Sequence, residues 1–297
     1  MLDYTLRRLI YTLITIFAVA TILFVLFRLL PGEPTMQVIS PALDDAVQER
    51  MKEAFGLNEP VWKQYLIYLK NLVTLEWGRS FVSAQPVTEI LGYRFWNTVL
   101  LMAAGMCLTL VIGISFGIVM AWKRNSALDV GGTVVSLVFQ AAPPFITGLL
   151  LLIVLSYRLG IFPTGGMYPP GQRPDGILDL LTMPEFWERI VLPTITVGAY
   201  YISTPMLIMR DSMLEVLGSD FIELARAKGL KPRVVMLKHA ARNAMLGVVT
   251  IAGIMVGFAV GGQVVVESLF SWPGMGQLMV ESAASHDYPV AQGTFLM

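Results

Sequence analysis

Charge is scarce in this chain. Only 14% of its 297 residues are Asp, Glu, Lys or Arg, against roughly 25% in an ordinary soluble domain. The 21 basic residues equal the 21 acidic ones, so no net field favours nucleic acid or an acidic ligand. Cysteine is nearly absent: Cys107 stands alone in an apolar run, which excludes an intrachain disulfide and a cysteine-based metal cluster. No phosphate-cradling G-x-x-x-x-G-K-[ST] occurs, so nucleotide hydrolysis by that route is excluded, and neither H-E-x-x-H nor G-x-S-x-G is found. These absences argue against an enzyme, and no metal-ligand set stands out.

What the sequence holds instead is hydrophobic length. Apolar residues make up 55% and the mean hydropathy is +0.66. Windows of about 20 residues, enough to cross roughly 30 Å of hydrocarbon, lie at Leu9–Leu30, Asn97–Trp122, Val130–Tyr157, Ile190–Met209 and Ala244–Val266. A sixth begins near Pro289 and stops at Met297, too short to span, so the chain is expected to be cut before the natural end of that helix. The first window follows Arg7 and Arg8 but is too long for a secretion signal and reads as a retained anchor. The expected fold class is an all-α polytopic membrane protein. Its parts are an N-terminal span (1–30), an extracytoplasmic segment (31–95) and a core (96–297).

Placing the N-terminus inside assigns eleven bases and six acids to the inner segments, and nine bases and fifteen acids to the outer ones. The bias follows the positive-inside rule. His239 and His286 then fall on opposite sides. Within 31–95, Asp44–Phe55 has helical composition, and a second helix is expected from Asn58 with Pro60 in its first turn and Trp62, Tyr65, Leu66, Leu69 and Val73 on one face. That segment reads either as a lid or as a docking surface for an external partner. Arg158–Arg189, rich in Pro and Gly, is expected as a loop ordered by its neighbours.

Apart from Arg28 near an interface, the windows contain no Asp, Glu, Lys, Arg or His. Ion-coupled carriers place such groups at mid-membrane as the coupling chemistry, so a secondary carrier is disfavoured; a passive channel subunit stays open. Gly253, Gly257 and Gly261 form one ridge of small residues and Gly113 and Gly117 another, either for packing within the chain or for close contact with a partner. Pro143, Pro144, Pro193 and Pro205 mark kinks. Gln140, Thr147, Thr196, Ser203, Thr204 and Gln263 are candidates for a polar pathway, or for interhelical hydrogen bonds.

The inner segment 210–243 combines shape with charge. Asp220–Lys228 has helical composition, with Ser219 or Asp220 as cap and Glu223 in the first turn. Gly229 provides a turn and Pro232 opens a second short helix running toward Asn243. The pair carries Arg226, Lys228, Lys231, Arg233, Lys238 and Arg242. It reads either as a lipid anchor or, since Glu223, Ala225, Ala227 and Gly229 give a contoured surface, as a docking device.

At these residues the chain resembles the permease subunits of ATP-binding-cassette importers, in particular the dipeptide/oligopeptide/nickel group. Their loop signature matches Glu223, Ala225 and Gly229, with ARAKGL at Ala225–Leu230 and H-A-x-R-N-A at His239–Ala244. RLLPGEP (Arg28–Pro34), FGLNEPVWKQY (Phe55–Tyr65), WGRSF (Trp77–Phe81), FSWPGMGQL (Phe270–Leu278) and DYPV (Asp287–Val290) extend the likeness along the chain. Leu224 departs from the broader importer pattern, which has Ala there, and Arg242 stands where many importers have Pro.

The resemblance implies the type I importer permease fold with six transmembrane helices in a bacterial or archaeal inner membrane. It also implies a coupling helix at Ser219, Asp220, Glu223, Ala225, Arg226, Ala227, Lys228, Gly229 and Arg233, docked on one of two ATPase subunits. ATP and Mg would be bound by those partners and no cofactor by this chain. A homologous second permease and an extracytoplasmic binding protein would complete the assembly, with no nucleic acid. Peptides lead the substrate classes; glutathione, nickel chelates, oligosaccharides and opine-like compounds also fall within the group.

Overall fold

A computed structural model describes residues 2–29, 59–172, 174–260 and 263–297. The expected helix at Asp44–Phe55, the expected cap Asn58 and Gly261 lie outside the described residues. In chain order the helices are α1 (Leu2–Leu29), α2 (Val61–Thr74), α3 (Val87–Trp122), α4 (Ala127–Ala141), α5 (Pro144–Leu151), α6 (Ile177–Thr182), α7 (Pro184–Tyr201), α8 (Ser203–Leu217), α9 (Asp220–Ala227), α10 (Pro232–Val234), α11 (Ala241–Val260), α12 (Val264–Leu269), α13 (Met275–Ala284) and α14 (Tyr288–Leu296). Wider π-type turns follow α5 at Leu152–Arg158 and α10 at Val235–Ala240.

Two compact units partition the chain, one of residues 1–96 with 277–297 and one of residues 97–276. In the first, α1 turns most of its length outward, as a lipid-facing helix must. Among the described residues its buried side chains are Ala20, Leu23, Phe24 and Phe27. Phe24 stacks on Tyr65 at 5.1 Å and Tyr68 at 5.5 Å, and Phe27 meets Tyr288 edge-on at 5.7 Å. Burial beside Tyr65 pushes the Tyr68 hydroxyl up to about 12, so it stays neutral and works as an aromatic body.

Helix α2 corrects one expectation, the position of its start. It starts at Val61 with Pro60 as its N-cap residue, since the Pro60 carbonyl already accepts from Lys63 and Gln64. Its packed stripe is Gln64, Tyr65 and Tyr68, whereas Trp62, Leu66 and Val73 point outward at 65%, 55% and 81% exposure. The Thr21 and Tyr65 hydroxyls, 2.7 Å apart, rotate α2 so that its aromatic edge rather than its most apolar face meets α1.

The WGRSF and DYPV segments meet in this unit. Buried Asp287 accepts from the Ser80 hydroxyl at 2.5 Å and the Phe81 N–H at 3.0 Å, holding the turn that the Arg79–Pro86 bridge closes. Charge-assisted bonds of this kind are among the stronger ones in proteins. Asp287→Ala is therefore expected to open that turn locally and release the backbone at Arg79, whose side chain is already exposed, from its bridge to Pro86. Limited trypsin digestion should cut after Arg79 faster in the variant than in the parent; equal rates would show that the turn holds without the carboxylate.

In the second unit, two windows expected as spans are broken helices. Between α4 and α5 the axis turns by 101°. A residue before proline is driven to extended backbone, and with Pro143 and Pro144 in succession both Ala142 (ψ 126°) and Pro143 (ψ 135°) leave helical geometry. The consequence is a break instead of a kink. Between α7 and α8 the turn is 46°. Pro205, third residue of α8, has no N–H to offer one turn back and its ring crowds that carbonyl. Pro193 sits inside α7 without interrupting it.

By length and apolarity alone Asp3–Phe27, Val87–Trp122 and Pro232–Gly257 can cross a membrane, and each bent pair adds one further candidate, up to five among the described residues. The last of these shifts an expectation. The helix after Gly229 is no short element: Pro232 opens a helix that runs through the π turn into α11.

Glycines sort by packing. Gly117 of α3 lies so close to α8 that a Cβ would fall 2.5 Å from the Met206 carbonyl oxygen, and Gly113 meets Pro205 and the Ile202 carbonyl similarly. A Cβ on Gly253 or Gly257 would meet nothing among the described residues within 4 Å. The first ridge is internal packing, whereas Gly253 and Gly257 of the second face away from the described residues.

Candidate functional site

The short helix α9 is shaped by its position between two stronger constraints. Gly218 and Ser219 end α8, and Gly229 at φ +76° ends α9 in a conformation that glycine adopts freely. Ser219 occupies the N-cap position, but its hydroxyl donates back to the Val216 carbonyl at 2.5 Å instead of capping by accepting an N–H. Asp220 and Glu223 supply the first-turn carboxylates that complement the helix dipole.

Spacing divides α9 into two faces. Ile222 is fully buried and Ala225 is 6% exposed; they share a cluster with Met209 and Met213 of α8, Val235, Met236 and Ala240 of the π turn, and Ala244 and Val248 beyond it. On the other side Phe221, Glu223, Leu224, Ala227 and Lys228 are exposed. The basic residues Arg226, Lys231, Arg233, Lys238 and Arg242 are exposed as well. Ala225 therefore seats α9 on its own chain, its small side chain allowing close approach. The outward surface instead includes Phe221 and Leu224, which the reading of the sequence left out of the candidate site. Their signal was present: at i and i+3 they share one face, adjoining the one that holds Ile222 and Ala225.

A second constellation sits at the FSWPGMGQL segment. Trp272 is fully buried and its indole N–H donates to the Asn97 carbonyl at 2.9 Å, while the Asn97 amide donates to the Pro273 carbonyl at 2.8 Å. Thr98 accepts from the Met275 N–H at 2.7 Å and donates to Glu267 at 2.8 Å. Glu267 is completely buried, and a Cβ on Gly274 would fall 2.5 Å from its carboxyl carbon. This acid was counted among the outer loop charges because the apolar window ends one residue before it. Folding carries it into the core, where the Asn97–Thr98 pair and the tight Trp272–Gly274 turn enclose it.

The pathway candidates are dispersed. Gln140 is exposed at the end of α4, and Thr147 and Thr204 are half-buried. Thr196 is fully buried, with its hydroxyl satisfied by the Leu192 carbonyl one turn back. Ser203 is fully buried at the α7–α8 break. Gln263 donates to the Tyr201 hydroxyl at 2.7 Å, linking that break to the start of α12. Tyr201 was not among the expected residues; its place at the proline-driven break is what makes it available.

Long apolar helices, broken helices with polar side chains at the breaks, and an exposed short helix mounted on a buried apolar seat describe a multi-pass membrane permease. The comparisons with known proteins give the family. Residues 113–297 match the model for the binding-protein-dependent transport system inner membrane component, and residues 1–106 match that for the N-terminal part of such components. The chain belongs to this family, the permease subunits of ABC importers, and to its peptide group.

It is 38% identical over 294 residues to the oligopeptide transport system permease protein AppB of Bacillus subtilis (strain 168), covering 98% of this chain and 90% of that protein. It is 35% identical over 297 residues to the glutathione transport system permease protein GsiC of Escherichia coli (strain K12), covering 100% and 92%. Among solved structures, a chain of the MetNI methionine ABC transporter in an inward-facing conformation is similar with a TM-score of 0.55 over 72% of this chain and 89% of that one. At 20% identity that likeness establishes the shared fold. The matches bear out the family and helical membrane fold expected from the motifs.

Proposed function

We propose that this chain is one half of the translocation pathway of a binding-protein-dependent importer in a bacterial or archaeal inner membrane, with α9 as the helix through which separate ATPase subunits drive it. The observation that carries this reading is the division of α9. One face is anchored by Ile222 and Ala225 in the core of the chain, and the other offers Phe221, Leu224 and Glu223 to a partner. A lipid anchor needs exposed bases alone; it does not need a helix rigidly seated on the permease core.

The chain itself has no phosphate loop, so ATP and Mg belong to the partners, and closure of two ATPases on paired permeases would switch access from inside to outside by rigid-body movement. A homologous second permease would complete the conduit, and an external binding protein would deliver the solute. Peptide-like solutes are the proposed substrate class, because the similar proteins AppB and GsiC are named for oligopeptide and glutathione transport.

Co-expression with the ATPases and binding protein encoded beside it, followed by purification and reconstitution, tests the reading. Trialanine and glutathione should enter proteoliposomes only with ATP. Glu223→Lys and Gly229→Asp should abolish that uptake while the chain inserts normally. A Cβ at Gly229 meets nothing within 4 Å, and a non-glycine residue in the left-handed region costs only about 1–2 kcal/mol, so the fold should survive. ATP-independent flux would identify a passive channel, and flux driven by an ion gradient alone would identify a secondary carrier.

A further inference from the structure

Asp129 has more partners than a helix-capping residue needs. At the start of α4 its backbone N–H donates to the Ser126 hydroxyl at 3.3 Å and its carboxylate accepts from the Asn125 N–H at 2.9 Å, a local arrangement close to a capping box. From 81 residues further along the chain, Arg210 of α8 donates to the same carboxylate through Nε at 2.5 Å and Nη2 at 3.0 Å. The Asp129 side chain is 3% exposed and that of Arg210 is 23% exposed. The remaining guanidinium nitrogen, Nη1, reaches Asp211 at 2.7 Å, an acid that is 68% exposed.

The surroundings make this pair a junction. Gly117 brings α3 against the backbone of Arg210, where a Cβ would lie 3.2 Å from the Arg210 nitrogen. Met209, itself at that contact, and Met213, one turn further along α8, are buried in the cluster that seats Ile222 and Ala225 of α9. The path from α9 to α4 thus runs through packed methionines into α8, and from α8 through a two-point ion pair into the first turn of α4. Arginine's planar fork fixes orientation as well as distance. Lysine or a solvated pair would not.

We infer that Asp129–Arg210 is a strut that makes α4 move with α8 and α9, so that displacement of α9 by the ATPases reaches the pathway helices; Asp129 and Arg210 are positioning residues of the coupling. The inference rests on the importer reading of α9.

The test uses the whole complex in nanodiscs, in a Cys107→Ser background with spin labels at Val134→Cys on α4 and Glu215→Cys on α8. With the pair intact, the label distance should be narrow and the same without nucleotide and with ATP plus vanadate. Asp129→Asn preserves the cap but removes the charge. It should broaden the distribution in the vanadate state and lower trialanine or glutathione uptake per ATP hydrolysed by about tenfold, within the range of ordinary allosteric coupling. The reversal Asp129→Arg with Arg210→Asp should recover both, and Asp211→Asn should change neither.

An unchanged distribution and uptake ratio in Asp129→Asn would overturn the strut. So would loss of ATPases from that variant, which would make the pair part of the docking surface, or failure of both Asp129→Asn and the reversal to accumulate, which would make it purely architectural. A parent complex that holds its ATPases but carries neither probe would overturn the peptide reading alone, with the label distances still deciding the strut. A parent chain that captures no ATPase would overturn the importer reading instead.

Discussion

Gly117→Val is expected to cost the permease most of its stability, while Gly253→Val, the same substitution on another transmembrane ridge, is expected to leave the isolated subunit as stable as before. At Gly117 the added Cβ would stand 2.5 Å from the Met206 carbonyl oxygen and 2.8 Å from the Met209 Cβ. The first obstacle is main chain and cannot rotate away, so α3 and α8 would have to separate along their contact. Helices in lipid associate through such close packing and interhelical bonds, without a hydrophobic force between them. Overpacking a tight site costs about 1–3 kcal/mol and occasionally more, and here the loss of the neighbouring Arg210 contact would add to it. Heating the detergent-solubilised subunit and following the monodisperse fraction by fluorescence-detected size exclusion checks the contrast. Equal damage at both sites would mean that α11 packs Gly253 against its own chain.

The second large effect separates the two faces of α9. Leu224→Asp, on the exposed face, should leave insertion and thermal stability intact but eliminate copurifying ATPase and ATP-dependent uptake. Ile222→Asp, two residues away, should sharply reduce the folded subunit in the membrane. Ile222 is fully buried among Met209, Met213, Val235 and Met236, and an unpaired carboxylate placed there would be several kcal/mol too costly to keep. At Leu224, 57% exposed, the carboxylate stays hydrated in the free subunit, and its cost appears only when a partner covers it. Membrane accumulation and ATPase capture, measured on the same preparations, read the two outcomes apart. If Leu224→Asp captures ATPase as the parent does, the docking surface lies elsewhere.

How much of this was legible in advance depended on the length scale of each interaction. The spans were visible because crossing hydrocarbon demands about 20 apolar residues, a condition met locally. The α9 turn was visible through Gly229 and Pro232 for the same reason. Pro143 and Pro144 marked a disturbance correctly, but two consecutive extended residues turned an expected kink into a 101° break. Which side of α2 would meet α1 was not legible, because that contact is decided by Phe24 and Thr21, far away in the sequence.

The polar junctions were hidden altogether. Glu267 and Asp129 looked like loop charges because nothing beside them in the sequence shows that Thr98, 169 residues away, or Arg210, 81 residues away, would close over them. By itself the sequence determined the class, the candidate spans, the family motifs and the turn after α9, since each follows from the local chemistry of consecutive residues. Only tertiary structure decided which face of α9 is offered outward, which glycines are already occupied and which acids are buried, because burial is conferred by residues distant in the chain.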